Sequence, residues 1–340
     1  MVTVKQVGFS LAIILGISVA GLFLFRWNRP QSLAKGCEIK VLSYPSFIAS
    51  WGPGPGIAQA FEASTGCHVN LQAAEDSGLL LAKLSLFPAD VVIGFDQFSL
   101  AEAREARAWR PIMTELIATR LPKSYQHREF VAFDWGPMAF VYREGEVIPP
   151  ASLDDLLMPA FAHTVTLQDP RTSTPGLQFL LWVLREKGIE PGFAFLRQLK
   201  KSIHSVSPSW STAYGLFQKK QAKLTFSYLT SPVYHWTQVS DRSYRPAIFA
   251  SGHPLQVEYA GVPVSCKECD AAEQFVRFLL SLDTQKEIMQ KNVMFPVRSE
   301  AEQGSDFAEL PAVKILEPPV PEEILRDKKR LLERWVELGL

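Results

Sequence analysis

Three apolar runs decide the fold class: Ile39-Lys-Val-Leu-Ser-Tyr44, Val69-Asn-Leu-Gln-Ala-Ala74 and Asp90-Val-Val-Ile-Gly94. Each is short and bounded by turn residues, the signature of a strand. Between them lie Ile57 to Glu62, entered through Pro55, and Leu79 to Leu86, both read as helices. Strand–helix alternation predicts right-handed βαβ units and an open parallel sheet. Ligands of such sheets bind beyond the C-terminal strand ends. Past the middle the pattern restarts. Ala139 to Tyr142, His163 to Gln168, Leu224 to Tyr228 and a run near Val257 to Val264 read as strands. Gly176 to Arg185, Phe193 to Lys201, Ala213 to Lys219 and Ala271 to Leu282 read as helices. In the tail, Ile324, Leu325, Leu331, Leu332, Trp335 and Leu338 share one helical face over Pro321 to Leu338, which fits packing on a lobe.

The 340 residues are enough for about two domains. Hydrophobic residues make up 47% and charged residues 21%, so a disordered or fibrous chain is excluded. Thirty-five basic residues balance thirty-five acidic ones, which argues against nucleic acid as a partner. Nothing between the halves reads as a flexible linker, so the chain is expected to pass between them on strands.

The start differs. Val7 to Phe25 contains no charged residue and is long enough to cross about 30 Å of hydrocarbon as a helix. Two readings stand: an uncleaved membrane anchor over residues 7–25, or a signal peptide cut after Ser18-Val19-Ala20. The run continues through Leu22-Phe23-Leu24-Phe25, which favours the anchor, while Arg26, Arg29 and Lys35 weakly oppose an exported C-terminus. Four cysteines follow. Cys37 and Cys67 each open a strand at the same offset, so neighbouring parallel strands would place them side by side. Cys266-Lys-Glu-Cys269 lacks the second pair or the nearby histidine that a zinc site needs, and reads as a local disulfide at a turn.

Four segments carry the function. They are Tyr44-Pro-Ser-Phe-Ile-Ala-Ser-Trp51-Gly-Pro-Gly-Pro55 with Glu75-Asp76, then Gln168-Asp-Pro-Arg-Thr-Ser-Thr-Pro-Gly-Leu177. Trp210-Ser-Thr-Ala-Tyr-Gly-Leu-Phe217 and Ser227-Tyr-Leu-Thr-Ser-Pro-Val-Tyr-His235 follow. In order and spacing they closely resemble the periplasmic thiamine-binding protein family, over nearly all of the chain after Cys37.

The resemblance implies an α/β fold of the type II periplasmic-binding-protein class, two lobes joined by crossing hinge strands. Here a hydrophobic N-terminal helix would precede it. The expected organisation is residues 1–36 as anchor or signal segment and linker, 37–135 plus 253–340 as lobe 1, and 136–252 as lobe 2. The implied ligands are thiamine, thiamine monophosphate and thiamine diphosphate, with no cofactor and no metal. The implied partner is the membrane permease of an ATP-binding-cassette importer, and the protein is expected to be exported and monomeric. The implied ligand-binding residues are Asp76, Ser77, Ser173, Thr174, Trp210, Tyr228, Leu229, Thr230, Ser231, Tyr234, Trp51 and Tyr44.

These residue types suit the ligand. Thiamine joins a cationic thiazolium to a flat aminopyrimidine and a hydroxyethyl arm. Aromatic faces serve the rings, at about 0.5–2 kcal/mol per cation–π contact. Ser173 and Thr174 stand just before a helix start, where free amides and hydroxyls suit an anion, although ordinary capping explains such residues too. Asp76 could equally cap the helix after it. The family often has an acidic residue after the position of Tyr44, where this chain has Pro45, and a cleft tryptophan where it has Val293. Other occupants of the same fold are ferric ion and polyamines. An enzyme of the thiaminase kind needs a cysteine in the cleft, and all four cysteines are placed elsewhere, so a binding protein is expected.

Overall fold

The computed structural model describes residues 33, 36–74, 76–113, 121–317 and 322–340. The hydrophobic segment 7–25, with its anchor and signal readings, lies outside them. Among the described residues no helix is long and apolar enough to cross a membrane.

The first part of the chain alternates as its pattern requires. Strand β1 (Glu38–Ser43) is followed by helix α1 (Gly54–Thr65), β2 (His68–Ala73), α2 (Leu80–Leu86) and β3 (Val91–Asp96). β1 pairs in parallel with both β2 and β3. Every residue of β3 is buried, as expected of a parallel strand covered on both faces. The register Glu38↔His68 puts the preceding residues side by side, and Cys37 and Cys67 form a disulfide there. Cys266 and Cys269 form the second.

β4 (Phe130–Arg143) then runs for 14 residues through both parts of the molecule. Its first stretch, Phe130 to Pro137, pairs antiparallel with β9 (Leu255–Gly261), which also pairs antiparallel with β3. Its second stretch, Met138 to Tyr142, pairs antiparallel with β7 (Leu224–Tyr228). The partner changes at Pro137, which has no N–H to donate; its carbonyl accepts instead from the Leu229 amide at 2.8 Å. β5 (Val165–Gln168) lies parallel to β7 and to β6 (Ile203–Ser207). β8 (Tyr244–Pro246) and β10 (Phe295–Pro296) add short pairings to β4. The strand order is β2-β1-β3-β9-β4-β7-β5-β6. The sheet is therefore mixed rather than wholly parallel, because β4 and β9 run against their neighbours.

Two main hydrophobic cores follow from this layout. One gathers β1 to β3, β9 and the first stretch of β4, with Phe61, Phe95, Phe133 and Phe275. The other surrounds β5, β7 and the second stretch of β4, where helices α3 (Thr174–Lys187) and α4 (Ile189–Leu199) bury Phe179, Trp182 and Phe193. The tail forms two helices, Glu322–Arg326 and Lys328–Glu337, rather than one. Leu316, Ile324, Leu331 and Trp335 are buried in the second core, not the first. The apolar face of the tail is covered by α3 and its neighbours, and Arg334 reinforces it by pairing with Glu190 at 2.7 Å.

Candidate ligand-binding cleft

Most of the expected residues converge where the strand ends of the two cores meet. The turn after β2 carries Asp76, Ser77 and Gly78 up to the loop between β5 and α3. Ser77 Oγ lies 2.9 Å from Thr174 Oγ1 and 3.0 Å from Asp76 Oδ1. Gly78 makes the approach possible: a Cβ there would stand 2.6 Å from the Thr172 carbonyl oxygen. Burial pushes the Asp76 carboxyl up to about 6, although the Ser77 hydroxyl and the amides of Gly78, Ser77 and Trp210 pull the other way. The Trp210 amide belongs to the first turn of helix α5 (Trp210–Gln218), where a carboxylate meets the favourable end of the helix dipole. Asp76 thus reaches a group on the far side of the seam.

Behind the seam, the Trp210 indole Nε1 donates to Ser227 Oγ at 2.8 Å, and Ser227 Oγ lies 2.8 Å from Ser231 Oγ. Ser231 Oγ also accepts from the Tyr228 amide at 3.3 Å. The Trp210 ring stacks on Tyr214 at 5.0 Å and stands tilted to Tyr228 at 6.4 Å. Ser173 Oγ and Thr230 Oγ1 are buried with no partner among the described residues. Buried hydroxyls without partners are uncommon and destabilising. Leu229 is part of the same turn, but its side chain is buried in the protein and only its backbone is engaged there.

Tyr44 enters by another route. Its hydroxyl donates to Glu258 Oε2 at 2.5 Å and accepts from Asn292 Nδ2 at 3.0 Å. Gln256 Nε2 donates both to Glu258 Oε1 at 3.1 Å and to the Tyr228 hydroxyl at 2.8 Å, which links the two tyrosines. Asn292 Nδ2 also reaches Asp134 Oδ2 at 2.7 Å. The Tyr44 ring lies against Gly94, where a Cβ would meet it at 2.4 Å. Cross-strand register lines up Asp96, Glu258 and Asp134 on β3, β9 and β4. Burial raises Glu258 to about 7 and holds Asp134 well above the usual carboxylate range. The same burial and the surrounding carboxylates push both tyrosine hydroxyls far up.

Sequence reasoning missed Asp134, Gln256, Glu258 and Asn292. The available signal was a carboxylate inside an otherwise apolar strand, twice over. Trp51 is 58% exposed and Tyr234 37%, the latter edge-on to His235. Pro45 starts a short helical turn, Pro45–Ile48, and Val293 ends the helix α6 (Leu282–Asn292) in a left-handed conformation. Among the described residues no cluster of three or more histidines, cysteines or carboxylates could hold a metal ion.

A sequence model of the bacterial extracellular solute-binding protein family matches residues 88–317. The chain belongs to that family. Its relatives narrow the comparison. It is 39% identical over 264 residues to the thiamine-binding periplasmic protein of Escherichia coli (strain K12), covering 76% of this chain and 80% of that one. It is 36% identical over 303 residues to the Salmonella typhimurium protein of the same name, covering 87% and 92%. Among solved structures, a periplasmic thiamin binding protein superposes with a TM-score of 0.83 at 34% identity, over 91% of this chain and 98% of that one. A ferric binding protein from Campylobacter jejuni superposes at 0.73 with 20% identity, which speaks for the shared periplasmic-binding-protein fold alone. These relatives are binding proteins, and membership of the family implies an exported protein.

Proposed function

We propose that this binding protein captures thiamine, and with it thiamine monophosphate and diphosphate, between two lobes and delivers it to an ATP-binding-cassette permease. The observation that carries the reading is the seam itself. Asp76 and Ser77 come from one side, Ser173, Thr174, Trp210, Tyr228 and Ser231 from the other, and the relatives bear the name of thiamine. Buried carboxylates around a tyrosine suit a cation, and Trp210 and Tyr228 supply ring faces for flat heterocycles. The lobes are then residues 37–135 with 253–315, and 136–252 with the tail, since Ile315 packs on the first core and Leu316 in the second. All four cysteines are paired, so no thiol is left for the nucleophilic chemistry of a thiaminase, which supports binding without catalysis. The protein acts in the periplasm as a monomer, tethered by residues 7–25 if that segment is retained.

Calorimetry with thiamine, its two phosphates, spermidine and ferric ion tests the reading. Submicromolar affinity for thiamine, with spermidine and iron far weaker, is the expected order, since such affinity needs more than about 8 kcal/mol from converging contacts. Replacing Ser173 and Thr174 by alanine should weaken the phosphates more than thiamine, because hydrogen bonds to charged groups are worth about 1.5–3 kcal/mol against about 1 for neutral ones. Tight binding of spermidine or iron in place of thiamine would discard the proposal.

A further inference from the structure

The three carboxylates of β3, β9 and β4 are a costly arrangement that the seam contacts do not explain. Asp96, Glu258 and Asp134 stand in one cross-strand row, and all are buried, Asp134 completely. The side chains that meet them are neutral. Asp96 accepts from the amides of Phe98 and Ser99, Glu258 from Tyr44 and Gln256, and Asp134 from Asn292. Asp134 Oδ1 and Gln256 Oε1 are both buried with no partner among the described residues, so the row has accepting capacity to spare. A buried carboxylate without a cation normally takes up a proton instead of staying charged. The row also sits behind a ligand-facing ring, since Gln256 joins Glu258 to the Tyr228 hydroxyl.

We propose that Glu258, with Asp134 beside it, is the buried counter-charge of the cleft, protonated in the empty protein and releasing that proton to solvent when a cationic ligand enters. The proposal rests on the reading of thiamine, a thiazolium cation, as the ligand. The balance is simple: one positive charge enters, one proton leaves, and no bond other than O–H is broken. Groups around the row all bear on its charge, namely Asp96, Tyr44, Asn292, Gln256, Tyr228 and, beyond Tyr228, Asp76. None of them is basic. Burial holds the Glu258 carboxyl near about 7 in the empty state, which puts the exchange in the physiological range. Release on binding makes affinity rise with pH up to that value and level off above it.

The experiment is calorimetry of thiamine binding at pH 6, 7 and 8 in two buffers of different ionisation enthalpy. It uses the wild type and Glu258→Gln, with a neutral thiophene isostere of thiamine as the uncharged control. The wild type should release a fraction of a proton per thiamine at pH 6 and almost none at pH 8, and its affinity should rise about tenfold over that span. Glu258→Gln should lose the Glu258 share of that release, show a flatter pH profile, and bind thiamine roughly tenfold more weakly at pH 8, while binding the isostere within about twofold of the wild type. Asp76 titrates nearby but is present in both proteins, as is the ligand's own pyrimidine, so the difference between them reports Glu258. Equal loss for thiamine and the isostere would show a merely structural role and overturn the proposal. Thiamine binding by the wild type without proton release at any pH would overturn it alone. No thiamine binding at any pH would overturn the ligand reading and this proposal with it.

Discussion

Phe140, Phe179, Trp182, Phe226 and Phe249 form one aromatic block in the second core, with ring centroids 5.1–6.4 Å apart. The first core has aromatic contacts too, but it also holds both disulfides, and the row of Asp96, Glu258 and Asp134 runs along its strands. The second half is stabilised by packing that needs no covalent help. The first half carries buried polar groups at the cleft and has two cross-links that restrict its unfolded chain. Desolvated carboxylates lower stability, and they are tolerated where they shape a site. The difference between the halves thus marks where buried negative charge is gathered, while polar groups from both meet at the seam.

Three measurements break or sharpen that contrast. The largest effect is expected from Trp182→Ala, which removes the centre of the aromatic block. Urea unfolding should show a loss of about 3–5 kcal/mol confined to the second half, with the disulfide-bearing half still folded when probed by hydrogen exchange. A change below about 1 kcal/mol would mean that the block is not what holds that half together.

Replacing Cys37 and Cys67 together by alanine should act on the other half. The closed loop spans a sequence separation of 30, and losing the cross-link is expected to lower stability by about 2–4 kcal/mol. Reducing agent should mimic the double substitution in the wild type and leave the exchange protection of α3 unchanged. Equal loosening of both halves would erase the distinction.

The smallest of the three comes from Glu258→Gln and depends on pH. The carboxyl of Glu258 is raised in the folded state, so its ionisation opposes folding as pH climbs from the usual glutamate value toward about 7. The substitution removes that opposition. It should therefore leave stability at pH 4 almost unchanged and increase it by about 2–3 kcal/mol at pH 8. A variant less stable than the wild type at pH 8 would mean that the hydrogen bond from Tyr44 outweighs the burial of charge.

How much was legible follows from the same division. β3, and most of β1, could be read directly, because strands buried on both faces appear as apolar runs between turns. β2 is an edge strand with only Val69 buried, and was legible from its place in the strand–helix alternation. Ser173, Thr174, Trp210 and Tyr228 stood out because they lie in compact motifs at a strand end or helix start. β4 was recognised only in its second stretch. Asp134-Trp135-Gly136-Pro137 interrupts the apolar pattern, and the interruption is where the strand changes partners. The antiparallel course of β9 was also hidden, since a single run of seven residues does not say which way it lies in a sheet.

Local structure was thus settled by the order of residues alone: the alternation of strands and helices and the two cysteine pairs. Each depends on neighbours a few positions apart or on equal offsets along paired strands. The carboxylate row was decided by tertiary structure. Asp96, Asp134 and Glu258 are far apart in the chain, and only the register of β3, β9 and β4 brings them level. The placement of the tail on the second core has the same origin: its apolar face announced that it would pack, but which surface receives it is set by how the sheet and its helices are arranged in space.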